Sequence, residues 1–120
     1  MFRANAPVHF RRNLQNIVTV ARRHDVVPVL MTFAFMPGVK GMPHVSSHEY
    51  LTALAESNSV VRQVAAEEGV ALIDLDRRFP RDPKMFVDGI HMTPEGQRAR
   101  SLIIARELNR QNLVPRPTTD

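Results

Sequence analysis

Two short, almost wholly apolar runs constrain the fold more than anything else in these 120 residues. "VVPVLMTF" at 26–33 and "VALIDL" at 70–75 have the length of strands and lack a continuous polar face. That pattern predicts strands buried on both sides, as in a parallel sheet. Pro28 cannot donate to a ladder, so pairing in the first run is expected to begin near Val29. Parallel strands need a long crossover between them, usually helical, and the intervening segment supplies one.

That crossover reads as a Pro- and Gly-dense loop, "MPGVKGMPHVSS" at 36–47, followed by a helix from about His48 to Glu68. Ser46 or Ser47 is its expected cap and Gly69 its stop. Leu51, Leu54, Val61, Val64 and Ala65 form its inner face, and Asn58 falls on the same stripe, read as a satisfied polar residue at a helix–loop contact. An earlier helix is expected over 8–24, with Phe10, Leu14, Ile17, Val18 and Ala21 inward. "DRRFPRDPKMFVDGI" reads as irregular. Thr93, Pro94 and Glu95 then start a last helix with core positions Leu102, Ile103, Ala105 and Leu108.

The order helix–strand–helix–strand–helix belongs to the α/β class with a right-handed parallel crossover. It fills one domain over 8–113, with a polar tail over 114–120. Two parallel strands make a poor sheet, because both outer edges stay open. The expectation is therefore the second half of a doubly wound domain, open to self-association through its strand edges.

Composition narrows the function classes. With no cysteine, disulfides and thiolate metal sites are excluded. No apolar run is long enough to span a membrane. The stretch "MFRANAPVHFRRN" lacks the apolar centre of a secretory signal. As written the chain reads as cytoplasmic, whereas a longer parent could be secreted or membrane-anchored. The formal charge of +4 rests on scattered arginine pairs with one tyrosine and no tryptophan between them. A solvated surface accounts for them better than a nucleic-acid interface.

The residues that point to chemistry lie in "FVDGIHMTPEG" at 86–96. Asp88 stands three residues before His91, so one loop can present a carboxylate to Nδ1 and leave Nε2 facing outward. The alternative is a surface turn in which Asp88 caps a backbone amide and His91 is solvated. His44 and His48, with Glu49 adjacent, have the spacing of a metal pair, but His44 follows Pro43 in a loop and no third ligand follows. Loop and cap roles are preferred there. His24 suits a helix C-terminus. Asp74 and Asp76 read as turn and cap residues, and Arg77, Arg78 and Arg81 as a solvated face.

From "VVPVLMTF" through "YLTALAESNSVVRQVAAEEGVALIDLDRRF" to "FVDGIHMTPEGQRARSLIIARELNR", the chain resembles the C-terminal half of an SGNH/GDSL-family hydrolase. Asp88, His91, Thr93, Pro94, Glu95 and Gly96 match that family's closing block position by position. The resemblance implies a flavodoxin-like three-layer α/β/α doubly wound parallel sheet. It also implies Asp88 and His91 as catalytic acid and base, an acyl-serine intermediate, a small-molecule ester substrate and no cofactor or metal.

The family pattern departs in one respect: its G-D-S, glycine and G-x-N-D blocks are not among these residues. Ser46, Ser47, Ser57, Ser59 and Ser101 do not sit in a strand-to-helix elbow. The expected function is the acid–base half of a serine esterase or acyl hydrolase, incomplete as written. Its complement is expected from a missing N-terminal half or a partner chain. The competing expectations are a non-catalytic α/β module and, behind it, a basic nucleic-acid-binding domain.

Overall fold

The computed structural model describes residues 7–39 and 46–117. Helix α1 (Val8–Arg23) leads to strand β1 (Val29–Met31), helix α2 (His48–Glu68) and strand β2 (Ala71–Ile73). A one-turn helix α3 (Leu75–Arg78), a 3₁₀ turn (Pro83–Met85) and helix α4 (Pro94–Arg110) follow. The segment expected to be irregular thus contains two short helical turns. Each is nucleated by an aspartate: Asp74 accepts from the Arg77 N–H and Asp82 from the Lys84 N–H.

The strands pair parallel, with Val29 opposite Ala71, Leu30 opposite Leu72 and Met31 opposite Ile73. Pairing begins at Val29, immediately after Pro28 removes a donor. One further bond, Thr32 N–H to Ile73 C=O at 3.1 Å, extends the ladder.

Local chemistry accounts for the ends of α2. Ser47 Oγ accepts from the Tyr50 N–H at 3.2 Å, satisfying one of the free amides of the first turn. At the other end Gly69 sits at φ 61°, its N–H bonds to Ala66 C=O, and the Val70 N–H bonds to Ala65 C=O at 3.0 Å. This pair of bonds needs a left-handed residue, which glycine supplies without a Cβ penalty.

Leu30 and Leu72 pack with Val18 of α1 and with Val60, Val61, Val64 and Ala65 of α2. Strand alternation sends Ile73 to the opposite face, and α4 contacts β2. A second cluster lies beyond the carboxyl ends of the strands. It joins Ala34, Leu75, Phe79 and Phe86 to Met92, Ala99 and Ile103.

Three expectations are corrected. β1 is not buried on both faces: Met31 is 42% and Phe33 45% exposed, while Leu30, Thr32 and Ala34 between them are buried. On α1 only Val18 is fully buried; Phe10 lies at the surface and Ile17 is 58% exposed. On α4 the fully buried positions are Gly96 and Glu107, whereas Leu102 is 54% exposed and Ala105 is also exposed. The cause is common to all three. A two-stranded sheet offers too little area to cover three amphipathic helices, so α1 packs along α2 and one face of β1 goes uncovered.

Candidate active site

The loop between the 3₁₀ turn and α4 is closed by its own backbone. Phe86 and Met92 form an antiparallel bridge, and the Val87 N–H bonds to His91 C=O at 2.7 Å. Thr93 fastens the base of this loop. Its N–H donates to Met85 C=O at 3.0 Å, its hydroxyl donates to Lys84 C=O at 2.7 Å, and its Oγ1 caps α4 by accepting from the Gly96 N–H. Beneath it the rings of Phe79 and Phe86 meet edge to face, 5.3 Å apart.

Gly96 belongs to the same construction. A Cβ on this residue would lie 2.2 Å from Met85 C=O, closer than any carbon can approach. Only glycine lets the first turn of α4 sit against the carbonyl that anchors Thr93.

Two further bonds lock the loop to the rest of the fold. The Met36 N–H, just beyond β1, donates to Gly89 C=O at 2.9 Å, and the Gly89 N–H donates to Ser46 Oγ at 3.1 Å. The loop is therefore tied to the carboxyl end of the sheet, where α/β folds place their sites.

Asp88 and His91 form a pair of unequal burial. The Asp88 side chain is 5% exposed and that of His91 61%. Asp88 Oδ1 accepts the backbone N–H groups of Ile90 and His91, at 2.8 and 2.7 Å. Its Oδ2 lies 2.7 Å from His91 Nδ1. The same carboxylate caps the turn and lies against the ring. Burial pushes the Asp88 carboxyl up, but the two amides and the imidazole more than offset this and hold it below the usual carboxylate value. An ionised Asp88 accepts from Nδ1–H, which leaves the Nε2 lone pair directed away from the protein.

The other sequence candidates fall outside this pair. Asn58 is buried, with Oδ1 accepting from the Phe33 N–H at 2.7 Å and Nδ2 donating to Phe33 C=O at 2.8 Å. It is the satisfied helix–loop contact expected, and it fixes the carboxyl end of β1. Asp74 and Asp76 do more than cap. Arg62 reaches both, at 2.9 and 2.8 Å, and Thr32 Oγ1 donates to Asp74 at 2.9 Å. The Arg62 hydrogen bonds hold Asp74 below its usual value, against burial.

The arginines are less free than a solvated face implies. Arg81 bonds Asp76 and Phe35 C=O, and Arg78 pairs with buried Glu107 at 3.3 Å. Arg77 is mostly exposed. His44 lies outside the described residues, so the His44–His48 pairing has no geometry to report. Among the described residues no three His, Asp or Glu side chains converge in a metal-binding group.

All five serines are placed away from an elbow. Ser47 caps α2, Ser57 and Ser59 lie within it, and Ser101 bonds a carbonyl one turn back in α4. Ser46 accepts from the Gly89 N–H.

Residues 1–99 match the model of the GDSL-like lipase/acylhydrolase family, and the chain belongs to that family. Among solved structures it is similar to the esterase domain of the ZfL2-1 ORF1 protein from the zebrafish ZfL2-1 retrotransposon. The identity is 16% and the TM-score 0.67, over 88% of this chain and 64% of that one. The likeness is one of fold, flavodoxin-like α/β, and the chain spans under two thirds of that domain. No curated protein matches.

Proposed function

We propose that this chain carries the acid–base half of an ester-hydrolysing site. His91 Nε2 takes the proton from a serine hydroxyl as that oxygen attacks the acyl carbon, then gives it to the departing alkoxide. A water molecule repeats the sequence on the acyl-serine. Asp88 holds the ring in the Nδ1–H tautomer and steadies the imidazolium. The observation that carries the reading is the 2.7 Å contact between a buried carboxylate and an exposed imidazole. A solvated histidine in a simple turn needs no buried partner.

The serine and oxyanion donors come, on this reading, from strand and helix segments seated on the open edge of β1. The exposed Met31 and Phe33 beside that edge support this. The substrate is a small-molecule ester. The test is hydrolysis of a generic activated ester by the purified chain and by any longer protein containing it, each with and without His91→Ala. In an active protein the substitution lowers turnover by a factor of 10³ or more. Equal turnover in both forms would reject the assignment.

A second reading is a non-catalytic module that associates through the same surface. It is favoured by the absence of a serine elbow and by the exposed apolar side chains of β1 and α1. His91-dependent turnover separates the two.

A further inference from the structure

We infer that Arg81 is a positioning residue for the Asp88–His91 pair, reaching Asp88 through two hydrogen-bonded peptide groups. Its bearing on turnover rests on reading that pair as acid and base.

The relay runs atom by atom from the guanidinium to the loop. Arg81 Nη1 donates to Phe35 C=O. That carbonyl shares a planar peptide group with the Met36 N–H, which donates to Gly89 C=O at 2.9 Å. The Gly89 carbonyl shares its own peptide group with the Ile90 N–H, which donates to Asp88 Oδ1 at 2.8 Å. A cation thus stands at one end and a carboxylate at the other, and every donor between them points towards the carboxylate. Each bond in such a chain polarises the next, and the charged ends strengthen the two outer bonds.

The cation is itself held in place. Arg81 Nη2 donates to Asp76 C=O at 2.7 Å and to Asp76 Oδ1, and the guanidinium lies 5.7 Å from the centre of the Phe35 ring. Asp76 is fixed by two further elements. Arg62 of α2 donates to its Oδ2 at 2.8 Å, and its own N–H donates to Oγ1 of buried Thr32 at 2.9 Å. Helix α2 and the end of β1 therefore set where Arg81 sits, and Arg81 passes that placement to the loop.

A surface ion pair is the simpler account. The Arg81 side chain is 43% exposed, and exposed pairs stabilise little. A pair with Asp76 needs only one arm of the guanidinium fork, however. The other arm goes to the carbonyl whose peptide group holds Gly89. A lysine could keep the ion pair but lacks the planar fork that serves both.

The test follows the hydrogen bonds themselves. In the full chain, heteronuclear NMR is expected to resolve scalar couplings across the Met36–Gly89 and Ile90–Asp88 bonds. Arg81→Met keeps the aliphatic stem and removes the donors. It should weaken both couplings and speed exchange of the Met36 and Ile90 amides by about tenfold. The Val61 and Val64 amides of α2 should keep their protection. Arg81→Lys should match Arg81→Met. In an active longer protein, Arg81→Met lowers kcat by about tenfold or more at unchanged KM.

Any of four results would overturn the proposal: no coupling in the parent chain, an intact relay in Arg81→Met, protection lost equally in α2, or a lysine variant equal to the parent. Unchanged kcat beside weakened couplings would overturn it too. A relay weakened as expected, in a protein without His91-dependent hydrolysis, would defeat the acid–base reading alone. His91-dependent hydrolysis with the relay intact in Arg81→Met would defeat the positioning role alone.

Discussion

Asn58 holds Phe33 by both halves of one peptide position, accepting from its N–H at 2.7 Å and donating to its C=O at 2.8 Å. Past the short β1–β2 ladder these two backbone groups have no strand partner among the described residues, and a helix side chain takes its place. Asn58→Leu leaves both unsatisfied and is expected to destabilise the chain by about 2–4 kcal/mol. Urea denaturation measures it. A change below about 0.5 kcal/mol would mean that water replaces the amide at no loss.

The unequal burial of Asp88 and His91 predicts unequal consequences of removing them. His91→Ala deletes an exposed ring and should change stability by no more than about 0.5 kcal/mol. Asp88→Ala removes the acceptor of two backbone amides as well as the ring's partner, and should cost about 1–3 kcal/mol. In an active protein both lose turnover. Paired melting curves and rates check the split, and similar stability losses in the two variants would contradict it.

Gly96→Ala tests the packing under the loop. A methyl group 2.2 Å from Met85 C=O forces either α4 or the 3₁₀ turn to move. Overpacking of this kind costs about 1–3 kcal/mol, and the displaced carbonyl is the one that anchors Thr93. Loss of the Thr93 and Val87 amides' protection from hydrogen exchange is the expected signature. Unchanged protection would show that the turn yields freely.

Acid should weaken the fold. Burial raises the Asp88 carboxyl but the His91 and Ile90 amides and the ring more than reverse it. Asp74 is lowered by its Arg62 hydrogen bond and Glu107 by that of Arg110. A carboxyl depressed in the folded state contributes stability that is fully present above its unfolded value and is lost as pH falls through the folded one. The melting temperature should hold from pH 7 to about pH 5 and fall below about pH 4. A rise over that acid range would have the wrong sign.

The exposed face of β1 should govern association. If Met31 and Phe33 drive self-pairing through the open edge, Phe33→Lys returns the chain to monomer in sedimentation velocity, as charged edge residues do. A monomeric parent chain, or association untouched by the lysine, would remove that part of the reading.

Local signals were the legible ones. Ser47, Gly69, Pro28 and the Thr93–Pro94 pair each act through their own backbone within a few residues, and the elements start and stop where those residues say. The D-x-x-H spacing likewise encloses its own geometry. Phe10, Ile17 and Leu102 misled because periodicity defines an apolar face without saying what covers it. Glu107 was invisible for the opposite reason: a charge on a helix reads as solvated until Arg78 and Arg110 close over it. The bonds of Arg62 to Asp74 and Asp76 join two elements across a turn, and no local spacing announces them. Gly96 in a helix resembles a tolerated defect until the Met85 carbonyl is seen beneath it.

Within the loop, the bonds that shape the Asp88–His91 pair run between residues at most nine positions apart, from Lys84–Thr93 inward, and Gly89 is also held from outside by Met36 and Ser46. Closing so short a loop forfeits little chain entropy, and each doubling of length would add only about 0.6 kcal/mol. The imidazole is therefore aimed mainly by its immediate neighbours along the chain, whereas the serine of the proposed reading would be aimed by the whole sheet. On the proposed acid–base reading, two halves divided this way would carry different tolerances. Insertions and loosened packing elsewhere would spoil the approach of the nucleophile long before they disturbed the base that awaits it.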